Sequence, residues 1–364
     1  MSDLNKIPVT VITGFLGAGK TTLIRHLMQN PQGKRLAVVV NEFGTAGVDG
    51  EILKSCADEN CPAENIMELA NGCICCTVAD DFIPTIEQLM DLPEKPDHIV
   101  IETSGLALPK PLLKAFDWPA IRSRITVDGV VALADAEAVA KGQFATDLDA
   151  VQAQREADEG IDHETPLSEL FKDQISCADI ILLSKADLAG EAGLDAAQKI
   201  IEAEAPRKLP ILSMSEGVID PRVILGLEAA AEDDLDARPS HHESHHHHHD
   251  DDHDHHHDHE HDHHHHDHSH DDFDTIVVEM GEVADPQVLQ DAIVKLARER
   301  NILRVKGYVA VEGKPMRMLV QAVGERLRAQ YDRPWGDMAR RTQLVVIAEH
   351  DNIDAAAIRA ELGA

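Results

Sequence analysis

Positive charge is what this sequence has least of. Among 364 residues, 33 are Lys or Arg against 66 Asp or Glu, a formal net charge of −33. Nucleic acid and anionic membrane carry the same sign, so neither is an expected partner. Long apolar runs are missing as well. No stretch of about 18 apolar residues occurs, which argues against a membrane-spanning helix. Met1 to Lys6 is short and polar and leads straight into a strand-like run, so it does not read as a signal peptide. Cysteine is sparse, with six in all, and these are expected as thiols for metal or redox work before disulfides. A cytoplasmic protein with room for two ordinary domains is the expectation.

Apolar, β-branched runs alternate with helical stretches through the first two thirds. Residues 7–13, 36–41, 99–101, 129–134, 180–184 and 211–214 read as buried strands, and 21–29, 82–90 and 196–205 as helices. That alternation predicts an α/β fold with a doubly wound, mostly parallel sheet over residues 1–231. Composition then breaks. Residues 232–238 are acidic and 240–274 are almost entirely His, Asp, Glu and Ser. Such a stretch buries no apolar area to offset chain entropy, so 232–274 is expected to be a disordered acidic, His-rich linker. Structure is expected again over 275–364 as a smaller α+β domain. Its strands are placed at 275–280, 303–311, 316–323 and 343–348, and its helices at 286–300 and 353–362. A hairpin is expected around 312–315.

Gly14-Phe15-Leu16-Gly17-Ala18-Gly19-Lys20-Thr21 matches G-x-x-x-x-G-K-[ST] between a predicted strand and a predicted helix, which is the context the motif requires. Gly14, Gly17, Ala18, Gly19, Thr21 and Thr22 are candidate phosphate-cradling positions, since backbone N–H groups and a helix N-terminus together bind phosphate oxygens. Lys20 is expected to neutralise the β- and γ-phosphates and the Thr21 hydroxyl to ligate Mg²⁺. Glu102 ends a predicted strand at the sheet edge where ligands of open α/β sheets bind. It is a second candidate for Mg²⁺ or its water, and Gly105 offers an N–H to the γ-phosphate. Ser184-Lys185-Ala186-Asp187 is similar to the N-K-x-D guanine clamp. There Asp187 would accept the guanine N–H groups and the Lys185 stem would cover the base. GTP is favoured over ATP because adenine lacks that donor pair. Ser184 in the Asn position removes one amide contact.

Gly72-Cys73-Ile74-Cys75-Cys76 follows a strand-like run at 66–69. In an extended stretch Cys73 and Cys75 share a face, and Cys76 joins them if the chain turns there. Two or three thiolates at this spacing suit a tetrahedral, fairly soft divalent ion; a redox pair or inert core thiols are the other readings. Cys56 and Cys61 are expected as incidental thiols of a surface loop, and Cys177 as core. Nineteen of the 23 histidines lie between His241 and His270, interleaved with Asp. The tract reads as a metal-collecting tether, or more simply as a solvated acidic linker.

With these motifs in this order, the sequence resembles the CobW family of metal-handling P-loop GTPases across nearly its whole length. The resemblance rests on residues 14–22, on Asn41-Glu42-Phe43-Gly44 with Asp49, and on 68–76. Glu102 to Gly105, the Lys185/Asp187 pair, and a small domain after a His-rich linker complete it. It implies a GTPase in which Mg²⁺ and GTP order residues 41–49, with Lys20, Asp49 and Glu102 as catalytic candidates. Metal would be bound at Cys73, Cys75 and Cys76 and released on hydrolysis. Cys56 and Cys61 before the thiol motif resemble the cobalamin-pathway branch. That implies Co²⁺ as cargo and an acceptor such as a cobaltochelatase. The ligands do not dictate cobalt, since Zn²⁺ generally binds such sites more tightly. Zinc delivery is therefore the rival, and a non-catalytic GTP-gated metal buffer or sensor is the second alternative.

Overall fold

The structure is a computed structural model. It describes residues 6–41, 53–57, 61–69, 82–157, 166–227, 229–238, 273–300, 302–336, 339–349 and 354–364. Seven strands form one parallel sheet: β1 (Ile7–Gly14), β2 (Leu36–Asn41), β3 (Ile66–Leu69), β4 (His98–Glu102), β5 (Ile125–Asp135), β6 (Ile180–Ser184) and β7 (Ile211–Ser213). Their spatial order is β3-β2-β4-β1-β5-β6-β7. The expected doubly wound α/β sheet is therefore present.

β1 lies between β4 and β5, with Ile12 opposite Glu102 in one register and Gly14 opposite Leu133 in the other. Crossovers run outward in both directions from β1, so its C-terminal end is the topological switch point at which open α/β sheets bind ligands. Burial on both faces explains the continuous apolar strands. Val38, Val40 and Val100 pack against Leu23, Ile24 and Leu27 of the helix Lys20–Gln29. Alternate residues Val39, Ile99 and Ile101 pack on the opposite face with Ile86, Leu89 and Leu112.

A second sheet is antiparallel and five-stranded: β8 (Phe273–Met280), β9 (Ile302–Val309), β10 (Met316–Val323), β11 (Arg326–Pro334) and β12 (Thr342–Glu349), in the order β11-β10-β9-β12-β8. The helices Pro286–Arg300 and Ala355–Leu362 cover one face through Leu289, Ile293, Leu296 and Ile358. The expected hairpin joins β9 to β10. Leu303, Val323 and Ile347 depart from that face and join the core beneath the helix Lys20–Gln29, which ties the second sheet to the first.

Several boundaries differ from the sequence reading. β5 begins at Ile125, four residues before 129, because Thr126 and Asp128 interrupt the apolar run yet find buried partners. The helix expected at 196–205 starts at Ala186 and breaks only at Gly190, whose φ of 65° no regular helix adopts. β11 was not expected at all. The acidic stretch at 232–238, assigned above to the disordered linker, is ordered: Ala231–Ala237 is a 3₁₀ helix. Glu232 accepts from the Thr126 hydroxyl (2.5 Å) and the Val127 N–H (3.0 Å). Phe273 and Asp274, at the other end of that linker, belong to β8.

Two buried carboxylates lie at the edge where β1, β5 and β6 begin: Asp179 fastens the second sheet to the first, and Asp128 holds the segment after β7 against β1 and β5. Asp179, just before β6, meets Arg238 at 2.5 Å and Arg326 of β11 at 2.7 Å, with Arg207 at 3.9 Å. Burial would raise its pKa, but the surrounding guanidinium groups hold it below the ordinary carboxylate value. Asp128 of β5 accepts from the Gly226 and Leu227 N–H groups at 2.6 and 2.9 Å and from the Thr10 hydroxyl at 3.3 Å. Thr10 in turn is 2.8 Å from Nε2 of His98. Arg304 of β9 donates to the Arg222 and Leu225 carbonyls above this cluster.

Burial of His98 lowers its pKa from 6.5 to about 4, although the Asp128 charge pulls upward. The folded state therefore holds His98 neutral at pH values where the unfolded chain protonates it. Stability contributed by this group is complete above pH 6.5 and is lost as the pH falls from 6.5 through about 4. At about 1.4 kcal/mol per pKa unit the loss amounts to roughly 3 kcal/mol. Urea unfolding between pH 7.5 and pH 4.5 should show this decline, and His98→Gln should flatten the slope between pH 6.5 and 5.

Candidate functional site

The P-loop motif sits at the switch point. β1 ends at Gly14, and the helix Lys20–Gln29 starts directly after Gly19. Gly14 has φ 141°, and a Cβ there would overlap the carbonyl oxygen of Leu133. Gly17 and Gly19 have φ 75° and 92°, a left-handed conformation that L side chains rarely adopt. Among the described residues, no atom lies within 4 Å of where their Cβ atoms would be, so backbone conformation and not crowding calls for glycine at these two positions. An Ala18 N–H to Phe15 carbonyl bond of 3.1 Å closes the turn. Ala18 itself is buried, and the half-buried Thr22 backs onto Gly217. Lys20 Nζ reaches back along the loop to the Gly14 and Phe15 carbonyls, at 2.9 and 3.2 Å.

β4 brings the second set of groups. The Thr103 N–H donates to the Ile12 carbonyl at 2.9 Å and holds the end of β4 against β1. Glu102, 4% exposed, thereby places its carboxylate 3.3 and 3.5 Å from the Thr21 hydroxyl. A hydroxyl and a carboxylate side by side at a phosphate cradle are hard oxygen donors of the kind Mg²⁺ takes, so this pair fits the ion implied by the motif. Gly105 lies so close to the loop that a Cβ on it would be 2.6 Å from the Leu16 backbone nitrogen. Gln174 Nε2 holds the Gly105 carbonyl at 3.1 Å.

The third corner is at the ends of β5 and β6. Lys185 has φ 56° and caps the helix Ala186–Glu204, with Asp187 exposed in its first turn. Lys185 Nζ is 2.5 Å from Asp135 Oδ2 and 3.3 Å from the Thr146 hydroxyl. Burial alone would raise the Asp135 pKa, but hydrogen bonds from Lys185, Thr146 and the Ala138 N–H hold it below the ordinary carboxylate value. Ser184 is buried and donates to the Ala134 carbonyl at 3.3 Å, so it ties β6 to β5.

Lys20, Thr21, Thr22, Glu102 and Gly105 therefore gather around one loop. Lys185 and Asp187 stand at the same edge of the sheet, two strands away from β1. Asp49, Cys73, Cys75, Cys76 and the histidine tract lie outside the described residues. Among the described residues no group of three or more His, Cys, Asp or Glu is arranged to hold a metal ion. Cys61 is not a surface thiol: it is fully buried in the core and Cys56 packs against the same cluster. Cys177 is core as expected, and burial pushes its thiol up to about 12. Among the described residues no helix is long and apolar enough to cross a membrane.

Asp135, Thr146 and Gln174 were missed by the sequence reading, because single polar residues without a spacing pattern carry no local signal. The aromatic support of the loop was missed for the same reason. Phe15 lies 5.9 Å from Phe144 and 6.2 Å from Phe171, ring to ring. One substitution tests the loop packing. Gly105→Ala forces backbone, not a flexible side-chain end, to move, so nucleotide affinity should fall by about tenfold or more and the melting temperature should fall as well. Titration with a fluorescent GDP analogue reads the first and a thermal melt the second.

Comparison with known proteins agrees with this geometry. Residues 8–211 match the family model described as CobW/HypB/UreG, nucleotide-binding domain, and 273–364 match the cobalamin synthesis protein cobW C-terminal domain. A zinc chaperone named CobW from Sinorhizobium sp is 50% identical over 364 residues, covering 100% of this chain and 98% of the relative. One of the same name from Pseudomonas aeruginosa is 46% identical over 366 residues, covering 100% and 92%. The zinc chaperone YjiA of Escherichia coli is 30% identical over 357 residues, covering 94% of each. With both modules matched, and matched relatives aligned from end to end, the chain belongs to the CobW/HypB/UreG family and carries the CobW C-terminal domain.

Proposed function

We propose that this protein is a GTP-hydrolysing metallochaperone whose cargo is Zn²⁺, taken up at Cys73, Cys75 and Cys76 and released when GTP is hydrolysed. The observation that carries this reading is the shared edge of the sheet. β2 ends at Asn41 and β3 at Leu69, paired with each other, on the side where Gly14 opens the P-loop. The chain leaves β2 into residues 42–49 and leaves β3 four residues before Cys73. At about 3.5 Å per residue, the four-residue span from Leu69 limits Cys73 to within roughly 14 Å of that strand end. That both segments leave from this edge supports a link between occupancy of the cradle and the hold of the thiolates on their ion.

Lys20 binds the phosphates and neutralises charge as the bond to the γ-phosphate breaks. Thr21 and Glu102 would hold Mg²⁺, which would supply further neutralisation of phosphate charge. Gly105 offers its N–H next to the loop, and Asp187 accepts the guanine N–H pair. Asp49 and Glu102 are the candidates for positioning the attacking water. Slow intrinsic turnover is expected, because a stimulating arginine has no sequence signature here and a partner is able to supply one.

Zinc takes precedence over the cobalt implied by the branch resemblance. The matched relatives at 46% and 50% identity are named zinc chaperones, and borderline-soft thiolate sites favour Zn²⁺ in binding strength. Cobalt delivery to a cobaltochelatase remains the second reading, resting on Cys56 and Cys61, of which the structure buries Cys61 in the core and packs Cys56 against it. Competition between Zn²⁺ and Co²⁺, with Mg²⁺ and a non-hydrolysable GTP analogue and then with GDP, tests both. Zinc should win, and its affinity should drop at least tenfold in GDP, about 1.4 kcal/mol of coupling. Equal affinities in the two nucleotides would sink the gating. Deleting residues 240–272 should lower the number of ions bound and leave GTP hydrolysis intact.

A further inference from the structure

Asp135 and Thr146 have no part in the chemistry above, yet both bond to Lys185 of the guanine clamp at the nucleotide edge. Asp135 is the last residue of β5 and pairs in register with Ser184, the residue before Lys185. Its Oδ1 accepts the Ala138 N–H at 3.1 Å and caps the following helix. Its Oδ2 accepts from the Thr146 hydroxyl and from Lys185 Nζ, both at 2.5 Å. With its own proton committed to Asp135, Thr146 accepts from Lys185 at 3.3 Å, and the three groups close a ring.

Two features make this more than a local ion pair. Lys185 is a non-glycine residue at φ 56°, ψ 38°, a backbone conformation that costs about 1 kcal/mol or more and persists only where surroundings enforce it. That turn sets where the next helix starts and therefore where Asp187, two residues on, presents its carboxylate. The loop that supplies Thr146 turns at Gly142 (φ 72°) and carries Phe144, which lies against Phe15 of the P-loop and 5.2 Å from Phe171. The loop thus spans from the phosphate cradle to the base corner.

We propose that Asp135 and Thr146 are positioning residues for guanine recognition, holding Lys185 in its left-handed turn so that its stem covers the base and Asp187 meets the guanine N–H pair. The proposal rests on the guanine-clamp reading of Lys185 and Asp187. The alternative is a bond that only stabilises the corner. The two differ in what a substitution removes: a positioning role affects ligands that have a base, and a structural role affects all ligands and the fold.

Asp135→Asn is the discriminating variant. It keeps an oxygen for the Ala138 cap and turns an amide toward the Lys185 ammonium. Its affinity for GTP and GDP should fall by about tenfold. Inorganic triphosphate, which fills the P-loop but has no base, should compete against bound nucleotide in proportion to that loss, with its own affinity within about twofold of wild type. In steady-state hydrolysis KM should rise far more than kcat falls. Thr146→Val, which leaves the carboxylate in place, should show a smaller loss in the same direction. Unchanged GTP affinity in Asp135→Asn, or equal weakening of GTP and triphosphate, would overturn the proposal. Wild-type protein that binds GTP and ATP equally would overturn the guanine clamp itself, and that outcome is read before any variant is made.

Discussion

Everything at the nucleotide edge depends on how closely the end of β4 approaches the P-loop. The Thr103 N–H donates to the Ile12 carbonyl, and the Gly105 backbone lies against Leu16 with no room for a side chain. That approach brings Glu102 beside Thr21 across 81 residues of sequence. It also sets the backbone of the P-loop directly against the strand end that carries the carboxylate. A phosphate cradle and an acidic group coupled through backbone contact respond to the same ligand as one unit, which is the mechanical requirement for a nucleotide-controlled switch.

The second sheet is held by a different kind of interaction. Apolar contacts of Leu303, Val323 and Ile347 bring it to the core, while the Arg326–Asp179 pair and the Arg304 bonds to the Arg222 and Leu225 carbonyls fasten it there. A buried carboxylate shared among arginines from separate segments is costly to expose and costly to leave with one partner missing. Arg326 also holds the Ala229 carbonyl, and Arg328 meets Asp233 at 3.0 Å, so β11 clamps the segment that precedes the histidine tract. Arg238, the last described residue before the tract, is fully buried against Asp179 and bonded to the Cys177 carbonyl. The tract therefore leaves from a fixed point at the edge of the parallel sheet opposite the P-loop.

The legibility of these parts followed their physics. β2 and β6 were recovered to the residue because strands buried on both faces must be continuously apolar. The P-loop was legible because its chemistry forces glycines, a lysine and a hydroxyl into one short span. β11 escaped because Arg326-Leu327-Arg328-Ala329-Gln330-Tyr331 is an edge strand whose polar side chains pair with the first sheet and with solvent, so no run of apolar residues marks it. The 232–238 stretch looked like linker for a related reason. Its acids are satisfied by Thr126, Arg326 and Arg328, partners that no local window includes.

What the amino-acid order determined alone was the class of fold, the phosphate-binding loop and the thiol motif, because each depends on residues close together in the chain. Tertiary structure decided that Glu102 meets Thr21, that Lys185 is gripped by Asp135 and Thr146, and that acidic residues near 232 belong to the folded body. Those contacts join segments tens of residues or more apart, apart from the short reach from Asp135 to Thr146. Their strength comes from burial and from hydrogen bonds that exist only after the sheet has assembled.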